Sequence, residues 1–244
     1  MRRFYYDLHV HSALSPCADD DTTPADIAGI ASLIGLDIVA LTDHNSCKNC
    51  PAFFAAAERY GITAVAGMEL TTSEDIHAVC LFDTLDGALR FDAYLDEFRT
   101  PIKNKPEIFG RQLIFNEADE IAGEVTNLLS FSVGISLEQL PELVEKFGGV
   151  CFPAHVDREA NGVISVLGTF PSTPHFDVFE LRDASRAAEY AERYLLSDKL
   201  MLTSSDAHRL TDISERENFI ELDCESNDHA IIRQALFARL GRKK

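Results

Sequence analysis

The chain contains no tryptophan, three methionines and only 22 basic residues against 40 acidic ones. The shortage of lysine and arginine leaves a formal charge of −18 over 244 residues. Long nucleic acids are held by neutralising many phosphates with Lys and Arg, so no long nucleic acid is expected as a partner. No apolar run approaches the ~20 residues of a membrane-spanning helix, and no membrane partner is expected. Arg2 and Arg3 precede no signal-type apolar segment, and cleavage behind one would remove His9 and His11. A cytoplasmic location follows, in which the six cysteines are reduced thiols and not a disulfide frame. There is no internal repeat and no low-complexity tract.

What the chain has is apolar content, 46%, enough for a sizeable core in one domain over 1–244. Short apolar runs alternate with helical patterns. A strand over 5–11 is followed by an Asp-rich loop and by a helix that Pro24 opens and Gly35 ends. Strands at 37–41, 63–68 and 77–82 come next, with helices at 51–60 and 87–98. The rhythm breaks over 99–135, where 112–115 and 120–122 flank an Asn-Glu-Ala-Asp turn. That stretch reads as an insertion beside the mouth of a barrel, and Lys103, Lys105 and Arg111 make it the main basic segment. A helix at 137–147, strands at 150–154, 177–181 and 200–203, a helix at 184–195, a closing strand at 219–222 and a helix at 227–240 complete the pattern. Strand–helix alternation with polar groups at strand exits indicates an α/β barrel.

Those polar groups are specific. Alternation along the first strand puts Asp7, His9 and His11 on one face and Leu8 and Val10 on the other. Asp43 and His44, Glu69, His77, His155, and the pair Asp206 and His208 each lie at a strand end. Imidazoles and carboxylates gathered this way suit divalent metals.

Together Asp7-Leu-His9-Val-His11, Leu41-Thr-Asp43-His44, Gly67-Met-Glu69 with His77, Pro153-Ala-His155 and Ser205-Asp206-Ala-His208 resemble the PHP (polymerase and histidinol phosphatase) family of metal-dependent phosphoesterases. The resemblance implies a distorted seven-stranded (β/α) TIM-like barrel with two to three divalent ions: zinc, manganese or iron. It implies His9, His11, Glu69 and Asp206 around a first ion; Glu69, His77 and His155 around a second; and Asp19, His44 and His208 around a third. Asp20 competes with Asp19, because the loop after His11 is longer than the family pattern. The implied activity is hydrolysis of a small phosphate ester, nucleotide or short oligonucleotide by a metal-bridging hydroxide, with Glu69, His9, His11 and Asp206 at its heart. Arg158 and Arg182 are candidate phosphate-binding forks. Asp7 and Asp43 are candidates to accept a hydrogen bond from a ligand imidazole. His175 and His229 match no motif and read as surface residues. The Cys47–Cys50 CxxC, with Cys17 in the first loop, supports a second reading: a non-catalytic metal- or redox-sensing module on the same barrel.

Overall fold

The computed structural model describes residues 1–241, so the basic end of the chain, 242–244, lies outside the described residues. In chain order the elements are β1 (Arg2–Val10), α1 (Pro24–Ile34), β2 (Ile38–Leu41), α2 (Cys50–Tyr60), β3 (Thr63–Thr71), β4 (His77–Phe82) and α3 (Leu85–Leu95). Then come α4 (Pro106–Phe109), β5 (Leu113–Phe115), β6 (Ile121–Glu124), α5 (Leu140–Lys146), β7 (Gly149–Pro153), α6 (Val163–Leu167) and β8 (Val178–Glu180). The last are α7 (Ala187–Arg193), β9 (Leu200–Leu202), β10 (Phe219–Leu222) and α8 (His229–Arg239). The helix boundaries follow their caps. The Thr23 hydroxyl accepts the Asp26 amide at the start of α1, Pro24 occupies its first turn, and Gly35 ends it in the left-handed conformation at φ 88°.

The fold is mixed α/β with a curled half-barrel sheet. Six strands run in the order β10-β1-β2-β3-β4-β7, while β8 and β9 form a separate parallel pair. Within the six-stranded sheet β1, β2 and β3 pair in parallel, while β4 runs against both β3 and β7. The cause is visible in the chain. A parallel connection needs a crossover of a dozen or more residues, and only residues 72–76 separate β3 from β4. The chain must therefore turn back as a hairpin.

One apolar cluster fills the concave side. Phe4, Tyr6, Leu8, Ile38, Val65, Val79, Leu81 and Phe152 meet Val178 and Leu202 of the β8–β9 pair, and Leu236 and Phe237 of α8 close it. A second cluster packs Val39, Leu41, Ala66, Met68 and Cys80 under Ile27, Phe53 and Phe91 of α1, α2 and α3. Each such fully buried Ile or Phe contributes about 1.5–3 kcal/mol over leaving it in water. The 99–135 stretch is ordered against the loops that follow β1 and β2. Leu113 donates its amide to Ala13, and Asn49 joins the carbonyl of Leu113 to the amide of Phe115. Asn45 donates to the carbonyls of Leu129 and Phe131. Its β5–β6 pair matches the hairpin read from sequence, and α4 and α6 are short helices that the sequence pattern did not announce.

Candidate metal centre

The site begins with an irregularity in β1. Tyr6 and Asp7 pair with Ile38 and Val39, yet Val10 pairs with Leu41, so β1 holds one residue too many between Asp7 and Val10. A bulge of this kind re-aims side chains. Leu8 joins Phe4 and Tyr6 in the concave cluster, while Val10 packs in the helix-side cluster. His9 and His11 turn towards the open end. The simple alternation read from sequence therefore fails here. Asp7 touches no imidazole; it accepts the amides of His9, Ser205 and Ser214 and ties β1 to the 205–214 loop.

Glu69 lies inside β3, and His77 begins β4 beside it. Because β4 is reversed, its first residue lies at the same end as the last residues of the parallel strands. Glu69 is 1% exposed and is ringed by five imidazoles. His77 Nδ1 at 2.6 Å, His155 Nε2 at 2.9 Å and His9 Nε2 at 3.5 Å face Oε1. His44 Nδ1 at 3.1 Å and His11 Nε2 at 3.4 Å face Oε2. Asp206 Oδ1 lies 3.5 Å from His9 Nε2 and 3.3 Å from His11 Nε2. The backbone is strained where it delivers two of these groups: φ is 26° at His155 and 53° at Asp206.

Three sets of donor atoms converge to within 4.8 Å: His9, His11, Glu69 and Asp206; His44, Glu69 and His77; and His11, His44 and His208. The first is the set expected for a first ion. In the second, His44 stands where His155 was expected, and His155 reaches Glu69 directly. In the third, Asp19 is missing: its exposed carboxylate faces Arg209 Nε at 3.3 Å, outside the cluster. Asp20 is also exposed and lies 3.9 Å from Arg111.

The donor atoms fit divalent cations. His9 Nε2, His11 Nε2, His44 Nδ1, Glu69 Oε2 and Asp206 Oδ1 are buried without a hydrogen-bond partner, a costly state for polar atoms unless something else satisfies them. Charge follows the same geometry. Burial pushes the Glu69 carboxyl up, but His77, His9 and His44 outweigh it and hold it well below the usual carboxylate range. Burial opposes charge on His9 too, yet Glu180, Glu69 and Asp206 raise it well above 6.5. Burial and the neighbouring His208 push His11 well below 6.5.

Outer groups orient the imidazoles. Asp43 accepts the Ser12 amide, the Ser12 hydroxyl and the Ser15 hydroxyl, and Ser15 Oγ lies 2.9 Å from His11 Nδ1. Asp43 therefore acts through Ser15 and has no direct bond to an imidazole. Sequence reasoning missed Glu180. Its Oε1 lies 2.9 Å from His9 Nδ1 and accepts the His155 amide at 3.1 Å. The available signal was a carboxylate ending the otherwise apolar strand Val-Phe-Glu.

Of the two arginines, Arg158 donates to Asp206 Oδ2 at 2.9 Å and reaches the rim of the centre. Arg182 is exposed, and only its backbone amide is engaged, by Asp157. His175 is exposed and pairs with Asp177, and His229 is half-buried against Thr63. Cys47, Cys50 and Cys80 are buried. Burial pushes the Cys47 thiol well up, with Cys50 adding to the effect. Both Cys47 and Cys50 donate to the Gly67 carbonyl. The CxxC thus packs beneath the centre as small apolar groups. Among the described residues no helix is long and apolar enough to cross a membrane.

This architecture has relatives. An error-prone DNA polymerase of Nocardia farcinica is 39% identical over 67 residues, 28% of this chain and 6% of the polymerase. Endonuclease Q from Pyrococcus furiosus superposes with a TM-score of 0.62 at 18% identity, over 99% of this chain and 57% of the endonuclease. This chain thus spans little more than half of that enzyme and a small fraction of the polymerase. A protein from Bifidobacterium adolescentis taken to be a metal-dependent phosphoesterase superposes at 0.59 with 18% identity, over 95% of both chains. A structure of Endonuclease Q with a 27-mer duplex bearing an abasic lesion at the active site shares the fold, at a TM-score of 0.62 and 19% identity. That complex overturns the expectation that long nucleic acid is excluded. Net charge sums the whole surface, whereas a substrate meets only the mouth, where bound cations and local fields decide. The PHP domain model matches residues 7–195. With that match over most of its length, the chain belongs to the PHP domain family.

Proposed function

We propose that this centre hydrolyses phosphate esters with the help of two to three divalent ions, of the zinc, manganese or iron class. The observation that carries this reading is Glu69. A single buried carboxylate within 3.5 Å of five imidazoles is an arrangement suited to bridging cations. When bound, such ions supply Lewis acidity, making water acidic enough to act at neutral pH and neutralising charge on phosphoryl oxygens.

The chain's own residues then have defined tasks. Glu180 keeps a proton on His9 Nδ1, so the lone pair of Nε2 faces the centre. Ser15, backed by Asp43, fixes the His11 ring through Nδ1. Arg158 is half-buried at the rim with one nitrogen on Asp206. Its other N–H groups can take a non-bridging phosphate oxygen, which orients the ester for in-line attack. No serine or cysteine nucleophile is required. Arg182, exposed and further out, is left to the periphery of a larger substrate.

The ester class includes polynucleotides, because the fold is shared with an endonuclease seen on duplex DNA. The test is turnover by the metal-replete protein on three substrates: a nucleoside monophosphate, an aryl phosphodiester, and duplex DNA with and without an abasic site. Hydrolysis of at least one that disappears with chelator supports the reading. Metal-loaded protein that cleaves no phosphate ester sinks it.

A further inference from the structure

The two strands that lead to His77 and His155 also carry a pair of cysteines. In the antiparallel ladder of β4 and β7, Cys80 stands directly opposite Cys151. Antiparallel pairs alternate between those that exchange two backbone hydrogen bonds and those that exchange none. The Ala154 amide donates to the His77 carbonyl at one end of this ladder, and the Asp83 amide to the Gly148 carbonyl at the other. Odd-numbered residues of β4 therefore occupy the bonded pairs. Pro153, opposite Ala78, has no N–H to give and agrees with this phase. Cys80 and Cys151 thus form a pair without backbone bonds, the class in which Cα atoms lie about 4.5 Å apart and side chains are closest. A disulfide spans Cα atoms about 4.4–6.8 Å apart, so the rung is within its reach.

The two thiols share a face of the sheet. Cys80 belongs to the helix-side cluster, and Cys151 packs against it. They differ in access. Cys80 is buried, with its thiol 3.8 Å from the Ala78 carbonyl, a long contact that costs little to give up. Cys151 is half-buried and lines a cavity of about 110 Å³ with Glu145, His175 and Asp177. That is room for several waters, and so for a small oxidant. Cys47 and Cys50 are both buried and offer no such first thiol.

We propose that Cys80 and Cys151 are an oxidation site, a dithiol that a hydroperoxide converts reversibly into a cross-strand disulfide. The Cys151 thiolate attacks one oxygen of hydrogen peroxide. The O–O bond breaks, and the departing hydroxide takes up the proton that the thiol released, forming water. The Cys80 sulfur then attacks the sulfur of the resulting sulfenic acid. The S–O bond breaks, and the oxygen leaves as a second water with the Cys80 proton. Two thiols are oxidised and one peroxide is reduced. No metal takes part, so the inference stands apart from the reading of the centre. Its consequence lies in the frame. β7 is an edge of the six-stranded sheet. The link adds a covalent tie to that edge, four residues before His155 and three after His77.

The test treats the full-length protein with hydrogen peroxide, digests it without reduction and maps linked peptides by mass spectrometry. A Cys80–Cys151 link that dithiothreitol removes is expected. Cys17→Ser should keep it. Cys151→Ser should abolish it, and Cys80→Ala should leave Cys151 as a sulfenic acid that a dimedone probe traps. The linked chain should also unfold at a higher temperature than the reduced one, because the tie closes a long loop of the unfolded chain. Both variants should lose that difference. A link between another pair in its place, Cys151 oxidised to the sulfinic acid with Cys80 still free, no link at all, or a link without a rise in unfolding temperature each overturns the proposal.

Discussion

Glu180 Oε1 lies 2.9 Å from His9 Nδ1, and the same oxygen accepts the His155 amide. One carboxylate from β8 therefore sets the tautomer of an imidazole on β1 and pins the strained residue after β7. Removing it frees the His9 ring to turn and leaves a buried amide unpaired. Glu180→Ala is expected to weaken metal binding by roughly 10–100-fold, the usual effect of losing a group that orients a ligand. Glu180→Gln, which keeps an acceptor oxygen, should lose less. Chelator competition measures both, and an Ala variant with unchanged affinity contradicts the assignment.

Glu69 and Asp19 should behave very differently. Glu69 faces five imidazoles in the interior, whereas Asp19 is exposed on Arg209. Glu69→Ala should abolish ester hydrolysis and release bound metal, because its loss leaves the imidazoles without a shared anion. Asp19→Ala should retain both within about twofold, as exposed substitutions usually do. Equal losses in the two variants would falsify the central place given to Glu69.

The metal-free protein should be most stable near neutral pH. His9 and His44 have folded pKa values above 6.5. The stability they contribute is fully present below 6.5 and is lost as pH rises through the higher folded values. His11 and His77 are shifted below 6.5, so stability falls as pH drops from 6.5 and the unfolded chain takes up the protons. Glu69 and Asp206 are also lowered, and the stability they contribute is kept across this range and lost only as pH falls below the ordinary carboxylate values. Thermal unfolding of chelated protein across pH 5 to 9 is the measurement. His9→Gln should flatten the alkaline side, and a monotonic rise in stability through pH 9 would contradict the charge assignment.

Thiol reactivity should separate the cysteines. Hydrogen bonds from His208 and His44 outweigh burial at Cys17 and bring it down to about 6, so it is largely thiolate at neutral pH. Burial pushes Cys47 and Cys80 well up. In metal-free native protein an alkylating agent should label Cys17 first, with Cys47, Cys50 and Cys80 protected until unfolding. Mass spectrometry of the labelled peptides decides it. Comparable labelling of Cys47 in the native state would revive a redox role for the CxxC.

Much of this was legible along the chain. The ends of α1 are written in Thr23, Pro24 and Gly35, and the main donor residues sit where apolar runs stop. The reversal of β4 was legible too, in the five residues that part Thr71 from His77, although strand–helix rhythm argued for a barrel. Three features were not. The bulge in β1 depends on how β2 pairs with it, and it breaks the alternation that grouped Asp7 with His9. Glu180 meets His9 across 171 positions, a contact no local pattern announces. That Asp19 faces Arg209 and not the centre goes with the grip of Gly110 on Pro16 and of the His208 carbonyl on the loop, and counting back from Pro24 registers neither.

The isolated bridge between Val10 and Ala207 has a consequence for how the molecule holds itself together. It joins the strand bearing His9 and His11 to the segment bearing Asp206 and His208, and β10 adds a further seam on Arg2–Tyr5. An ion gripped by His9, His11 and Asp206 acts as a clasp between the two extremities of the chain. Closing a loop of this length is among the larger entropic costs of folding, though the cost grows only slowly with length. Occupancy of the centre would therefore tighten this closing seam, and stripping the ions should loosen first the contact between the opening strand and the closing one, ahead of the β3–β4 hairpin whose partners are neighbours in sequence.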